Sequence, residues 1–205
     1  MPEADPLRSH DPSLVRRMQA GDLAAFEAFF QRYRAPIYRT AYGLTGDPHA
    51  AEEVLQDTFA RAWQRRSVLN ADVSPLPWLH RVALNLCYSR LGRRRVHQEP
   101  IGDGVGPAFE DPAVPPAERA ERQELRLIVR EGVAALSPKH QAVVVLYYLD
   151  GLSLQETADV LDIALGTVKS RLHYALRSLR GELERDRRFG GAYPEAVPDA
   201  DGGQG

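Results

Sequence analysis

The chain has little cysteine, tryptophan or methionine: one Cys, two Trp and two Met in 205 residues. With Cys87 alone, no disulfide framework can form within the chain. That fits a reducing cytoplasm and argues against a small stapled secreted scaffold. No apolar run approaches the ~18 residues of a membrane span, so no membrane insertion is expected. The opening stretch, Met1 to Pro12, lacks the basic start and apolar core of a secretion signal. A soluble, cytoplasmic protein is expected. Neither sign of charge dominates: 26 Lys and Arg against 28 Asp and Glu leave a net charge of -2. The whole chain is therefore no bulk nucleic-acid binder, and any DNA affinity must come from patches. Nothing alternates convincingly with period two and nothing repeats at fixed period, so neither a sheet nor a solenoid is expected.

What is present is helical periodicity, in two blocks, around a core suited to an apolar content of 43%. The spacing predicts an all-α fold. An N-terminal block covers 12–96, a linker 97–116, a C-terminal block 117–188 and an irregular tail 189–205. The linker holds five prolines, three glycines and four acids, with no Lys or Arg, and reads as an acidic tether. In the first block, Asp11-Pro12 starts a short helix with Leu14, Val15 and Met18 inward, and Gly21 ends it. A longer helix follows from Asp22, with Leu23, Phe26, Phe29, Phe30 and Tyr33 inward. Pro36 should kink or split it. Gly46-Asp47-Pro48 is a stop and restart. The third helix, from Pro48 to Arg66, begins acidic and ends basic, as the helix dipole prefers. After the loop Ser67 to Ser74, a fourth helix from Pro75 buries Trp78, Leu79, Val82, Leu86 and Cys87. From Pro75 to Val96 there are five arginines and no acid.

The second block opens with a charged helix, about Ala117 to Leu136. Ser137-Pro138 caps the next, which Asp150-Gly151 ends. The segment Leu152 to Arg180 is the most informative. Ser153 is an N-cap and Glu156, three residues on, completes a capping box. Asp162 to Gly166 is a turn. A second helix then begins near Thr167, with Val168, Leu172, Ala175, Leu176, Leu179 and Leu183 as its buried stripe. From Thr167 to Arg180 there are four basic residues and no acid. Such a local sign reversal suits a phosphate backbone. A solvated helix face is the ordinary reading of a basic helix. Capping box, turn and basic helix start together favour a DNA-reading helix-turn-helix.

With both blocks laid out, the chain resembles the bacterial RNA polymerase sigma factors of the extracytoplasmic-function (ECF) group, group IV of the sigma-70 family. A-E-E-V-L-Q-D-T-F-A-R-A-W, Ala51 to Trp63, is similar to that family's core-polymerase-binding helix. P-W-L-H-R-V-A-L-N-L-C, Pro77 to Cys87, with Arg93 to Arg95, resembles its −10 promoter helix. L-S-P-K-H-Q-A-V-V-V-L, Leu136 to Leu146, opens its C-terminal domain. G-T-V-K-S-R-L-H-Y-A-L, Gly166 to Leu176, resembles its −35 recognition helix. The four occur in the family's order across roughly Ser13 to Leu183. Asp162 and Ala164 depart from the usual Gly and Pro of the turn, so a slightly different turn is expected.

The resemblance implies three jobs. Glu52, Glu53, Gln56, Asp57 and Phe59 would dock on core RNA polymerase, with carboxylates meeting basic partner residues. Asn70 would capture a flipped base at the −10 element, a step that costs a few kcal/mol of unstacking. His80, Arg81, Asn85, Tyr88 and Arg90 would flank the strand, and Arg93, Arg94 and Arg95 would bind its backbone. With few exposed aromatics for stacking, melting should depend on a good promoter match. Thr167, Lys169, Ser170, Arg171, His173, Tyr174 and Arg177 would read the −35 element in the major groove. The partners implied are core polymerase, promoter DNA and an anti-sigma factor. Each acid or arginine taken singly is also compatible with a solvated surface.

Linker length adds a constraint. Promoter boxes two helical turns apart lie ~70 Å apart. About twenty linker residues span ~25 Å as a free coil and ~70 Å fully stretched. The free protein should therefore bridge both boxes poorly, with polymerase holding the linker extended. Two other classes compete. A conventional helix-turn-helix regulator would dimerise and bind specific DNA alone, but it has no need of the fourth helix's arginine run. An enzyme is not expected: the six histidines form no metal-ligand pair, and Cys87 reads as a packed apolar residue. Gly102 to Gly106 follows no strand, so it is no nucleotide loop. No cofactor, metal or catalytic residue is implied.

Overall fold

The computed structural model describes residues 11–97 and 127–185. Among them every regular element is helical: α1 (Pro12–Gln19), α2 (Leu23–Thr45), α3 (Pro48–Gln64), α4 (Leu76–His97), α5 (127–135), α6 (Pro138–Val144), α7 (Leu154–Leu161) and α8 (Leu165–Arg185). A 3₁₀ turn at Arg66–Val68 follows α3, and a π-helical turn at Val145–Leu149 extends α6. The tether from 98 onward, the start of the charged helix before 127 and the tail 189–205 lie outside the described residues, and residue 97 is the last of α4.

Helix starts follow the local chemistry. Asp11, Asp22 and Asp47 each accept a backbone amide of the first turn, and Pro12 and Pro48 occupy first-turn positions where no amide is needed. Each such cap contributes ~1 kcal/mol. Gly46 ends α2 in the left-handed conformation, at φ 65°. Pro36 does not split α2, which runs unbroken for 23 residues. The proline lies on the buried face, and tertiary packing of the flanking turns outweighs the missing hydrogen bond. Leu23 is a second departure: it is 68% exposed. As the first residue of α2, it precedes the turn that reaches the core.

α1 to α4 surround a core of Met18, Phe29, Tyr33, Ile37, Val54, Phe59 and Leu79. This core continues into the C-terminal block through Ala142, Leu146, Leu152 and Val160. A second cluster lies within the C-terminal block, around Val143, Val144, Val145, Ala158, Val168, Leu172 and Ala175. The two blocks thus pack against each other, with α4 against α7 and the α6 end against α2.

Candidate nucleic-acid interface

α7 and α8 form the helix-turn-helix. Ser153 accepts from the Glu156 amide at 3.2 Å, and Glu156 accepts from the Ser153 amide at 2.7 Å, which completes the capping box. Asp162 ends α7 at φ 55°, a left-handed conformation that Asp tolerates better than most side chains. The usual glycine is therefore replaceable here. The turn is shorter than the sequence suggests: α8 starts at Leu165, not near Thr167. The Thr167 amide donates to Ala164 O at 2.8 Å, so Thr167 sits inside the first turn. Val168, Leu172 and Ala175 are buried, and Leu176 and Leu179 half-buried; Leu183's side chain lies outside the described residues. Lys169, Ser170, His173, Tyr174 and Arg177 are exposed along one side, with Thr167 and Arg171 half-buried at its edges. Spacings of three and four residues put these side chains on neighbouring turns.

On α3, Glu52, Glu53, Gln56 and Asp57 are exposed on consecutive turns and form an acidic face. Phe59 is not part of it. It is 2% exposed, with its ring edge-on to Phe30 at 4.8 Å and Phe29 at 6.0 Å. Its place is the core, because it shares the apolar stripe of Val54, Leu55 and Ala62. Glu53 and Asp57 are already engaged: Arg90 of α4 pairs with Glu53, and with Asp57 at 3.3 Å.

The candidate −10 residues are divided. Asn70 is exposed in the loop after α3, its Oδ1 accepting from the Asp72 amide at 2.9 Å. Asn85 is exposed on α4. The side chains of Arg93, Arg94 and Arg95 lie outside the described residues. Arg81 donates to the carbonyls of Asp159, and of Val160 at 3.3 Å, at the end of α7. The Tyr88 hydroxyl donates to Pro138 O at 3.4 Å, and burial raises its pKa. His80 departs furthest from expectation. It is fully buried, so in this arrangement it touches no strand. Its sequence signal was available: with Leu79, Ala83, Leu84 and Cys87 it shares the inward stripe of α4. Burial raises the Cys87 thiol to about 12, so it is no nucleophile at neutral pH.

Sequence reasoning missed Arg39, Thr40 and Asp150. The Asp150 side chain is fully buried between the blocks. Its Oδ2 lies 2.5 Å from the Thr40 hydroxyl, its Oδ1 3.2 Å from Arg39 Nε, and His80 Nδ1 is 2.9 Å from the same hydroxyl. Thr40 has one proton to donate, and the Pro36 carbonyl at 3.2 Å is a further acceptor for it, so at least one of Asp150 and His80 must donate to the hydroxyl. Burial pushes Asp150 up to about 7, against the pull of Thr40 and Arg39, and pushes His80 down to about 3, with Arg39 adding to that. A neutral acid beside a neutral ring fits that geometry.

Two segments match family models: residues 29–96 the Sigma-70 region 2, and 132–181 the Sigma-70 region 4. Helix α7 and most of α8 fall in the second match, and most of α2 to α4 in the first. The chain is 36% identical over 166 residues to the ECF RNA polymerase sigma factor SigL of Mycobacterium tuberculosis, covering 80% of this chain and 92% of that protein. It is 29% identical over 185 residues to SigW of Bacillus subtilis, covering 82% and 94%. Among solved structures it is similar to the sigma factor RpoE of Bartonella quintana, solved with the anti-sigma factor NepR. There the TM-score is 0.63 and the identity 22%, over 79% of this chain and 98% of that one. That last likeness is one of fold. The chain belongs to the ECF RNA polymerase sigma factors of the sigma-70 family.

Proposed function

We propose that this chain directs core RNA polymerase to a specific set of promoters, as a group IV sigma factor in the cytoplasm. The observation that carries this reading is α8. A capped short helix and a tight left-handed turn set it so that Lys169, Ser170, His173, Tyr174 and Arg177 project outward together. That face reads the −35 element, with base edges for specificity and phosphates for position. Glu52, Glu53, Gln56 and Asp57 dock on polymerase. Asn70, Asn85 and the arginines of α4 handle the −10 strand once α4 is uncovered. The protein supplies specificity and the polymerase supplies chemistry, with no cofactor of its own. Blocks 12–96 and 117–188 act as separable domains on the tether 97–116. Among the described residues no helix is long and apolar enough to cross a membrane.

An anti-sigma factor is the expected regulator, by analogy with the RpoE–NepR pair. It would act on the same two faces. Run-off transcription from a genomic fragment library, with and without the protein, tests the function. New start sites sharing −35 and −10 boxes are expected. No new starts, together with tight specific DNA binding by the protein alone, would identify a conventional regulator instead.

A further inference from the structure

α2 and α4 hold a small pocket whose polar groups all suit an anion: the Arg39 guanidinium, the Thr40 hydroxyl and His80 Nδ1. The C-terminal block fills it with the Asp150 carboxyl group. Asp150 reaches in with both oxygens, Oδ2 also lying 3.9 Å from His80 Nδ1. One residue along α4, Arg81 donates to two carbonyls at the C-terminal end of α7, where the helix dipole concentrates negative charge. Consecutive residues of α4 are thus met by oxygens of the other block. The seam is costly in polar terms. A buried carboxyl is desolvated, and His80 Nε2 is buried with no hydrogen-bond partner. An apolar seam would avoid both costs. Polar groups held at that cost make sense if they meet a second partner in another state.

We infer that Asp150 and the α7 carbonyls stand in for DNA phosphates, and that Arg39, Thr40, His80 and Arg81 bind the backbone of a promoter strand when the blocks part. Phosphate oxygens accept from guanidinium and hydroxyl donors as a carboxylate does. Opening also exposes His80 to water. Its ring then titrates near the ordinary value of 6.5 and its Nε2 can gain a partner. In the closed form strand and C-terminal block compete for one surface, so DNA shifts the population only by its preference for the open form. This inference rests on the promoter-reading function proposed above.

The test is binding of a labelled single strand of mixed sequence, ~15 nucleotides long, to the full chain by fluorescence anisotropy. Asp150→Ala should tighten binding on the order of tenfold and steepen the salt dependence by about one phosphate's worth. Adding Arg39→Ala should remove most of that gain, whereas adding Arg34→Ala, exposed on the same helix, should remove much less. Asp150→Asn keeps the shape without the charge and gives the same readout at pH ~5, where its seam opens, should the alanine variant not fold. Binding unchanged from wild type overturns the idea, whether or not the blocks part. So does a gain that survives Arg39→Ala, because Asp150 is then only a clasp. Run-off transcription by the wild-type chain is scored separately. Transcription without the phosphate effect sinks this inference alone. A phosphate effect without transcription supports the pocket and sinks the promoter reading.

Discussion

Helices α4 and α8 carry similar chemistry, and the fold treats them in opposite ways. Each offers arginines, a histidine and a tyrosine on a stretch without acids. On α8 the histidine and tyrosine are exposed, and Tyr174 is 58% open to solvent. On α4 the histidine is buried against Asp150 and Thr40, Tyr88 reaches Pro138, Arg81 caps α7, and Arg90 is shared by Glu53 and Asp57. The same residue types therefore do not amount to the same availability. In this arrangement α8 is open and α4 is largely occupied by its own chain. Resemblance places both on DNA, but only α8 could be used without rearrangement.

Stability gives the largest contrast. Leu79 is fully buried on α4, so Leu79→Ala should cost ~2–5 kcal/mol. Tyr174→Ala should change stability by no more than ~0.5 kcal/mol. Urea denaturation of the two variants measures this, and equal losses would erase the distinction. DNA reading comes next. Lys169→Ala or Arg177→Ala on the open helix should weaken −35-dependent run-off transcription by ~1–3 kcal/mol, roughly 5–150-fold, without lowering the unfolding midpoint. No effect from either would move readout off this face.

Gly43→Ala probes the seam itself. A Cβ there would stand 2.9 Å from Val145 Cγ2 and 3.1 Å from its Cγ1, and Val is stiff at χ1. Within α2 the alanine should gain up to ~1 kcal/mol of helix propensity, while overpacking should weaken the seam by ~1–3 kcal/mol. Interdomain fluorescence transfer should fall while helicity by circular dichroism is kept. Unchanged transfer would mean that the seam yields locally.

Acidity gives the smallest effect in the wild-type chain, and its variants sharpen the contrast. In the closed form Asp150 keeps its proton up to about 7, and His80 takes one only below about 3. When the seam opens, the ordinary values of 3.8 and 6.5 apply. Between those ordinary values the closed pair holds one proton on Asp150, and the open pair holds one on His80. Proton uptake on opening is then near zero, so the closed population should be nearly flat with pH. Arg39 faces both groups. His80→Gln leaves the raised acid alone: closure is fully favoured below pH ~4 and is lost as pH rises towards ~7. Asp150→Asn leaves the depressed ring alone: closure is favoured above pH ~6.5 and fades as pH falls. Fluorescence transfer from pH ~5 to ~7.5 should show slopes of opposite sign in the two variants. Slopes of the same sign would refute the paired titration.

Local chemistry was legible residue by residue. Asp47-Pro48, Gly46 and the Ser153–Glu156 box act within three or four residues of themselves, and each forms as its pattern implies. The outward side of α8 was legible because its apolar stripe repeats cleanly. The structure departs from expectation where a second surface decides. Pro36 leaves α2 whole because both flanking turns are packed. Phe59 belongs to the acid-bearing helix by sequence and to the core by its place in the stripe. His80, placed beside the −10 strand by the resemblance, sits inward in this arrangement because Leu79, Ala83, Leu84 and Cys87 carry its face into the core.

By itself, the sequence determined an all-α chain with its helix starts, an acidic face on α3, a basic face on α8 and membership of the ECF sigma factors. Those properties are written in periods of three or four residues and in short motifs. Only the tertiary structure decided which of the groups proposed to meet DNA are available. That choice depends on Asp150 meeting Thr40 across 110 positions, on Arg81 meeting the end of α7, and on Gly43 admitting Val145. Neither periodicity nor composition carries that information, because each contact joins groups whose local sequences are independent of one another.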